Sequence, residues 1–496
     1  IHAAGVIIGD QPLTNLVPLA RGANDEVITQ FPGKPCESLG LLKMDFLGLK
    51  TLTIIQDACD FINDGHGLDL TPDDIPLDDP ACYELLRHGN TVGVFQLESG
   101  GMQALFRRAQ VERIEDVIAL IALYRPGPMQ FIDDFLDRKF GRVEVEYDLP
   151  EMKPILEETY GIMVYQEQVM QVVQAVAGFS LAAADILRRA MGKKNQEEMA
   201  RQYDNFLEGG RQAGHDPKII GAIWEKIKKF AEYGFNKSHS TAYAFLAIQT
   251  AWLKAHYPAE FMSANLASEV GNADRISQLM DECREMHIQV LPPDVNVSTG
   301  SFTVDDGAIR FGLAAIKGCG SAAADAIVSA RGETPFASLE DLCERVNSAI
   351  NSRVLESLCR CGALDCFGHK RAQMNEVLED VMKRAQRDLK DEAIGQGNFF
   401  DLMMDGDDDN DSGLGITMPD IPEWDTIELL NFERELLGFF VSGHPLDLFT
   451  ATIDDYTTHQ LAELSGQADN AGVRIAGRID AVNKKLAKRE IGRAHV

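Results

Sequence analysis

Leu41-Leu42-Lys43-Met44-Asp45-Phe46-Leu47-Gly48-Leu49 is an apolar run that carries an ammonium and a carboxylate two residues apart. Such a run reads as a buried strand. Residues two apart on a strand point to the same face, so Lys43 and Asp45 stand side by side. Burying either charge is costly unless it is paired or binds a metal. Two readings follow: a structural Lys–Asp pair near a strand end, or a metal-binding carboxylate with a lysine beside it. The stretch alone favours the first, because most buried charge pairs are not catalytic. The rest of the chain favours the second.

Around this run, residues 1–50 alternate short apolar stretches with turns at Gly9-Asp10-Gln11-Pro12 and Phe31-Pro32-Gly33-Lys34-Pro35. That alternation reads as strands and loops. From Leu52 to about Asn272 the period becomes helical, with apolar residues three and four apart over Ile155 to Ala177 and Ile219 to Phe230. Ser180 has the form of an N-cap for a helix over Leu181 to Met191, with Gly192 as its stop. Ile288 to Phe311 is strand-like, Pro292 and Pro293 mark a boundary, and helices return from Ala314 to about Ala393. Residues 403–423 are rich in Asp, Gly and Pro and read as a flexible linker. A helix follows around Ile427 to Leu437, and Gly472 to Ile479 alternates like the first strand of a small β domain.

With 496 residues the chain is too long for one ordinary core, so several domains are expected. Its 45% hydrophobic and 25% charged residues are ordinary for a soluble globular protein. The longest apolar stretches, such as Val117 to Tyr124, are too short to cross a bilayer, and no segment reads as a signal peptide. The nine cysteines form no disulfide framework, which suits a reducing cytoplasm. Cys359, Cys361, Cys366 and His369 lie in a helical apolar pattern that disfavours a zinc site. Against 47 Lys and Arg stand 77 Asp and Glu, a formal net charge of −30. That balance makes a poor generic nucleic-acid binder but does not exclude a local basic groove. The Asp run from Asp405 to Asp411 belongs to a solvated loop.

The chain opens at Ile1 inside an apolar run and is read as cut from a longer protein. Glu490-Ile491-Gly492-Arg493-Ala494-His495-Val496 resembles the translation of a sequencing-adapter read-through and is set aside from the fold.

Five motifs carry chemistry. Arg188 and Arg189 are adjacent in a helix that ends in Lys193 and Lys194. These cations either stabilise a helix C-terminus or form a triphosphate clamp of guanidinium forks. Tyr233 to Tyr243 crowds Asn236, Lys237, His239 and Tyr243 around a glycine, which is either a solvated loop or a functional one. Tyr124-Arg125-Pro126-Gly127-Pro128 is a rigid turn with an aromatic ring and a guanidinium, able to stack on or grip a nucleotide. Leu313 to Ala324, through Lys317, Gly318 and Gly320, has the form of a helix–hairpin–helix, two short helices joined by a turn whose amides favour a DNA phosphate. The bland alternative is a helix–helix turn with a glycine C-cap. Leu358 to Phe367 resembles a degenerate second copy. Lastly, Gln396-Gly397-Asn398-Phe399-Phe400 lies beside the acidic linker, where an exposed Phe pair points to a partner pocket or simply packs on a helix.

In this order the motifs resemble the C-family replicative DNA polymerases, the alpha subunits of bacterial DNA polymerase III. Further matching signatures are His2-Ala3-Ala4-Gly5-Val6, Gly93-Val94-Phe95-Gln96-Leu97-Glu98-Ser99, Tyr165-Gln166-Glu167-Gln168-Val169-Met170 and Leu436 to Leu446. The resemblance covers residues 1–489. It implies a multi-domain, predominantly α fold with α+β parts. Residues 1–50 would be the end of a polymerase-beta-like nucleotidyltransferase palm and 51–293 helical fingers. Residues 294–450 would be a helix–hairpin–helix and clamp-binding region, and 472–489 the start of an OB-fold.

The resemblance also assigns roles. Asp45 matches the third of three palm aspartates that bind two Mg²⁺ ions, and Lys43 a lysine beside them. The other two belong to an upstream Asp-x-Asp that these residues do not contain, so the chain alone is expected to be inactive. Arg188, Arg189 and Lys193 would meet the triphosphate. Asn236, Lys237, His239 and Tyr243 would lie near the nucleotide or template. Tyr124, Arg125, Lys317, Gly318 and Gly320 would meet DNA. Gln396, Phe399 and Phe400 would dock on the sliding clamp. Implied partners are primer–template DNA, deoxynucleoside triphosphates, the clamp and other polymerase III holoenzyme subunits, in the bacterial cytoplasm and away from the membrane. Competing readings are an error-prone paralogue, or a non-catalytic, clamp-tethered DNA-binding scaffold in which Asp45 is structural.

Overall fold

The structure is a computed structural model that describes residues 4–22, 25–193, 195–231, 234–346, 349–393, 417–459, 464 and 471–478. It is mostly helical with three small sheets. The chain divides into two units, Ile1–Ile54 and Ile55–Val496.

In the first unit β1 (Gly5–Ile8) and β4 (Leu42–Asp45) form an antiparallel ribbon, while β2 (Leu19–Arg21) and β3 (Val27–Thr29) form a hairpin. Val17, Cys36 and Leu41 make a small core with Ile7, Leu13, Leu16 and Leu19 packed on it. The turn expected at Phe31 to Pro35 is instead the start of helix α1 (Gly33–Ser38). Pro35 stands in its first turn, where a missing N–H breaks no helical bond.

The buried strand expected over Leu41 to Leu49 is a correction. Leu41 is buried, but Leu42, Met44, Phe46 and Leu47 are exposed at 58%, 42%, 63% and 79%. Register explains it. Met44 faces Val6 and Leu42 faces Ile8 across a two-stranded ribbon, and all four side chains lie on its open face. The other face carries Lys43 opposite Ile7 and Asp45 opposite Gly5.

Helix α2 (Lys50–His66) crosses the division between the units. The second unit continues with α3 (Pro80–His88), α4 (Gly100–Ala109), α5 (Ile114–Leu123), α6 (Ile132–Lys139), α7 (Lys153–Leu156) and α8 (Gln166–Ala177). Then come α9 (Leu181–Lys193), α10 (Gln196–Gln212), α11 (Pro217–Ala231), α12 (Lys237–His256), α13 (Pro258–Ser268) and α14 (Ala273–Glu285). Short polar side chains start many of these: Asp79, Ser99, Asn195, Asn236 and Asn272 each accept the N–H three residues on. Such caps satisfy amides that the helix itself leaves free.

Two cores organise this region. In one, Val117, Leu120 and Leu123 of α5 pack with Ala244, Ile248 and Ala251 of α12, over Leu86, Leu97 and Phe106. In the other, Val169, Val172, Val173 and Val176 of α8 pack with Leu187 of α9, Phe206 of α10 and Trp224 and Ile227 of α11.

The helix expected from Ile155 to Ala177 is broken. Tyr160 and Gly161 take positive φ, 53° and 79°, and the chain runs extended to a bridge between Tyr165 and Phe235 before α8 begins. Apolar spacing alone does not reveal this turn. Ser180 caps α9 through the Ala183 N–H at 3.2 Å, but Gly192 does not stop it. A glycine weakens a helix without ending it; here the chain turns at Asn195, which caps α10.

The strand-like stretch from Ile288 to Phe311 gives a sheet in the order β5 (Val290–Leu291), β7 (Ala308–Arg310), β6 (Thr303–Asp305). Beyond it lie α15 (Gly320–Arg331), α16 (Leu339–Val346), α17 (Ser352–Arg360), α18 (Arg371–Ala393), α19 (Thr426–Leu437) and α20 (Thr450–Tyr456). Gly472 to Arg478 form no strand; among the described residues Arg474 bonds to Thr458 and His459 there, without the alternating ladder that defines a strand. Residues 479–489, Gln396 to Phe400 and most of the acidic linker lie outside the described residues.

Candidate nucleotide and nucleic-acid interface

Helix α12 gathers motifs that are far apart in sequence. Asn236 caps it, accepting the His239 N–H at 3.0 Å and the Ser238 hydroxyl at 2.9 Å. Phe235, His239 and Tyr243 recur every four residues and therefore share one face. Their rings form a column: Phe235 to His239 at 5.4 Å, His239 stacked on Tyr243 at 4.4 Å, and Tyr243 to Phe95 at 5.1 Å. Arg125, just past α5, caps the column with its guanidinium 4.4 Å from the Phe235 centroid. Because α5 packs along α12, the end of one helix meets the start of the other. Burial lowers the pKa of Arg125.

Tyr124 turns elsewhere. A Cβ on Gly101 would stand 1.8 Å from its hydroxyl, so this ring needs the glycine at the start of α4.

Lys237 opens α12. Its Nζ lies 2.7 Å from Glu158 and 5.5 Å from the centroid of the Tyr165 ring, and its N–H donates to Glu167 at 3.0 Å. Glu167, Lys237, Ser238, Thr241, Ala242 and Phe245 line an open depression of about 490 Å³. Glu167 stands in the first turn of α8, which joins the start of α12 through the Gln166 N–H and the Phe235 carbonyl at 2.8 Å.

Across α8 from this site, α9 carries Arg188 and Arg189. Both grip Asp185: Arg188 Nη2 at 2.7 Å and Arg189 Nη2 at 2.8 Å. The hydrogen bond from Arg188, with the charge of both guanidinium groups, holds the Asp185 carboxyl below the usual range. The side chain of Lys193 is outside the described residues. Among the described residues no hydrogen bond, ion pair or ring contact joins Arg188 or Arg189 to the α12 column.

In the first unit, Lys43 Nζ sits 2.6 Å from Asp45 Oδ1, with both side chains partly exposed. Asp45 is a hard oxygen ligand of the kind Mg²⁺ takes. A lone carboxylate does not make a metal centre, and no group of three His, Cys, Asp or Glu among the described residues could hold an ion. The described residues therefore do not fit a two-metal site by themselves.

The hairpin at Lys317 differs from two helices joined by a turn. Its first arm is a single 3₁₀ turn, Leu313–Ala315. Gly312 before it is in extended backbone, and a Cβ there would meet the Ser301 backbone at 2.4 Å, so the position requires glycine. Ile316 and Cys319 are buried while Lys317, Gly318, Gly320, Ser321 and Ala322 are exposed. Gly318 and Gly320 have φ of +95° and +70°. The Lys317 N–H donates to Leu436 O at 2.9 Å, so α19 docks on the turn. At Leu358 to Phe367, read as a degenerate second copy, α17 ends and a 3₁₀ turn, Asp365–Phe367, follows. Ala363 N–H returns to Leu358 O and Gly362 N–H to Cys359 O, which closes α17.

Arg188, Arg189, Lys237 and Lys43 thus each have a carboxylate nearby, and Lys317 has Glu435 at 3.7 Å. These pairs are at least partly exposed, and exposed pairs contribute only about 0–1 kcal/mol, so a phosphate can displace them.

Residues 51–214 match the model of the bacterial DNA polymerase III alpha subunit finger domain. Residues 1–48 match that of the bacterial DNA polymerase III alpha NTPase domain, and residues 287–374 a helix–hairpin–helix motif. DNA polymerase III subunit alpha of Haemophilus influenzae is 45% identical over 506 residues, covering 98% of this chain and 43% of that protein. The subunit of Escherichia coli K12 is 42% identical with the same coverage, and that of Campylobacter jejuni 40% identical over 98% of this chain and 41% of that protein.

The chain belongs to the bacterial DNA polymerase III alpha subunit family. It spans about 43% of the length of the curated relatives it matches. Within this alpha-subunit stretch, Lys43 and Asp45 fall in the NTPase-domain match, Arg188 and Arg189 in the finger match, and Lys317 in the hairpin match. Asn236 to Tyr243 fall between matches. Sequence reading missed Phe95, Glu158, Glu167 and Asp185 as neighbours of the site. Phe235 was legible, since it precedes His239 and Tyr243 at the same four-residue spacing. No helix among the described residues is long and apolar enough to cross a membrane.

Proposed function

We propose that this chain is the part of a replicative DNA-directed DNA polymerase that receives the incoming deoxynucleoside triphosphate and holds primer–template DNA during addition to a primer 3′ end. The ring column from Arg125 to Phe95 carries the reading. The exposed ring of the column, His239, lies stacked on Tyr243 at 28° and suits a base, and base–aromatic stacking contributes on the order of 1–3 kcal/mol per base. Asn236, Lys237 and Tyr243 frame the same end of α12. Arg188, Arg189 and Lys193 are assigned to the triphosphate, where guanidinium forks fit phosphate oxygens better than they fit one shared aspartate. Tyr124 and Arg125 are assigned to DNA.

Residues 1–50 are read as the end of the palm, 51–293 as fingers and 294–450 as the hairpin and clamp-binding region, with an OB-fold beginning at 472. Lys317, Gly318 and Gly320 would hold DNA phosphates, and Gln396, Phe399 and Phe400 would dock on a sliding clamp. Asp45, with Lys43 beside it, is read as one ligand of a centre whose other carboxylates the described residues do not provide. Two Mg²⁺ ions, when bound, supply activation of the primer hydroxyl and stabilisation of pyrophosphate. Other holoenzyme subunits and a bacterial cytoplasmic location complete the reading.

The closed Lys43–Asp45 pair favours a second reading, a clamp-tethered DNA-binding scaffold with a structural Asp45. Primer extension by the full-length polymerase separates the two. Asp45→Asn abolishes extension under the first reading and leaves it near normal under the second. Arg188→Ala or Arg189→Ala raises the nucleotide KM or lowers kcat without changing DNA affinity; weaker DNA binding with unchanged nucleotide kinetics would move both residues to the DNA backbone.

A further inference from the structure

Six non-glycine residues among those described have positive φ. Gln110 and Tyr160 close helical turns, and His287 directly follows the end of α14. Asp25 and Asp306 sit at the tips of the β2–β3 and β6–β7 hairpins. Gln96, at φ +63°, lies in the loop between α3 and α4, as the third residue of a turn that the Leu97 N–H closes on Val94 O at 3.1 Å.

That loop is held tightly. Thr91 Oγ1 donates to Leu97 O at 2.6 Å, Gly93 N–H to Glu98 Oε2 at 2.9 Å, and Phe95 N–H to Thr250 Oγ1 at 3.1 Å. Beneath it Lys254, 1% exposed, donates to Asn90 O and Val92 O at 2.8 Å and to Glu282 Oε1 at 2.5 Å. Val94 and Leu97 are fully buried. Gln96 emerges from this frame. Gln96 is exposed, and its amide has no hydrogen-bond partner among the described residues. The residue before it, Phe95, touches Tyr243.

Left-handed backbone is uncommon for a long side chain and is held here by the turn bond from the Leu97 N–H to Val94 O and the bonds around it, not by a hydrogen bond of the Gln96 side chain. The fold gains nothing visible from a glutamine at this position, whereas a fixed backbone aims its Cα–Cβ bond in one direction. We propose that Gln96 is a binding residue whose amide hydrogen-bonds the edge of a nucleobase lying against the Phe95–Tyr243–His239 rings. A carboxamide carries donors and an acceptor together, the pattern that base edges offer in return. The base can belong to a free deoxynucleotide or to a DNA strand. This inference rests on the nucleotide reading of the α12 column.

The test uses the 496-residue chain and three variants: Gln96→Gly, Gln96→Asn and His239→Ala. Glycine accepts positive φ freely, so Gln96→Gly keeps the loop and removes only the amide. Two probes are titrated, a deoxynucleoside triphosphate by calorimetry and a fluorescent oligonucleotide by anisotropy. Expected for Gln96→Gly is a melting temperature equal to or above that of the unmodified chain, with affinity for one probe reduced about threefold to tenfold. Gln96→Asn falls between. The probe that weakens identifies the source of the base. Unchanged affinity for both probes in Gln96→Gly, while His239→Ala loses affinity, overturns the role of Gln96 and leaves the column reading intact. No effect from either variant, or no binding by the unmodified chain, overturns both. A Gln96→Gly chain that melts several degrees lower makes the residue structural and also overturns the proposal.

Discussion

The guanidinium of Arg125 lies on the ring of Phe235, 4.4 Å from its centroid, and Arg125 Nε donates to the Ala122 carbonyl at 2.8 Å. One side chain thus closes the C-terminus of α5 and the N-terminal approach to α12. The charge sits where helix carbonyls are unsatisfied and against the negative face of a ring, and both interactions favour it.

Arg125→Ala should therefore destabilise the chain by about 1–2 kcal/mol and loosen the column. Arg125→Lys should recover less than half, because an ammonium cannot stack flat and reach the carbonyl together. Denaturant unfolding of the three proteins checks this. A lysine variant as stable as the parent would show that charge alone matters there.

That contact also marks what the sequence could show. The helical period, the cap at Ser180 and the dense Asn-Lys-Ser-His-Tyr stretch are local signals, and they are legible one residue at a time. The meeting of Arg125 with Phe235, of Phe95 with Tyr243 and of Lys237 with Glu158 depends on how α5, α8 and α12 pack, which no local pattern encodes. The burial assigned to Leu42 and Met44 failed for a related reason. An apolar run states what a strand could bury, not whether a second layer lies over it. The break at Tyr160–Gly161 was missed because hydrophobic spacing on both sides stays in phase across the turn.

Lys254 supplies a second expectation. Its ammonium is 1% exposed with three acceptors, and burial lowers its pKa. Lys254→Met leaves Glu282 and two carbonyls without their donor and should destabilise by about 3–5 kcal/mol. Adding Glu282→Leu should restore part of that, since the unpaired charge goes too. Thermal unfolding of the single and double variants decides. Equal losses in both would assign the effect to the carbonyls of Asn90 and Val92 rather than to the ion pair.

Tyr165 is fully buried, and its hydroxyl has no partner among the described residues. Burial, reinforced by Glu158, pushes its phenol pKa well above the usual 10.0. Tyr165→Phe should be neutral or stabilising, by up to roughly 1–3 kcal/mol, because an unbonded buried hydroxyl is removed and the ring stays. The sign with pH is fixed. A phenol whose folded pKa exceeds its unfolded value contributes stability below about pH 10 that is lost as pH rises through the folded value. The phenylalanine variant should accordingly lose less stability above about pH 10. A clear loss of stability at neutral pH in Tyr165→Phe would mean the hydroxyl holds something, a water or a ligand.

The turn at Lys317 allows a finer test of DNA binding than simple deletion. The Lys317 N–H is already held by Leu436 O, so the donors left to a phosphate are the amides of Gly318, Gly320 and the exposed first turn of α15. A Cβ on Gly320 would meet nothing within 4 Å, yet its φ is +70°, so Gly320→Ala strains the backbone without a clash. Gly318→Ala adds a close approach, 3.0 Å to Ser357 Oγ. Both variants should weaken binding to every DNA sequence alike, the Gly318 variant more, because backbone amides read phosphates and not bases. Lys317→Ala should lower the slope of log affinity against log salt by about one, the loss of a single phosphate contact. Anisotropy titrations on duplexes of unrelated sequence, each at several salt concentrations, measure both quantities. A loss confined to one sequence would place the turn against base edges, and an unchanged salt slope would leave Lys317 as a surface partner of Glu435, 3.7 Å away.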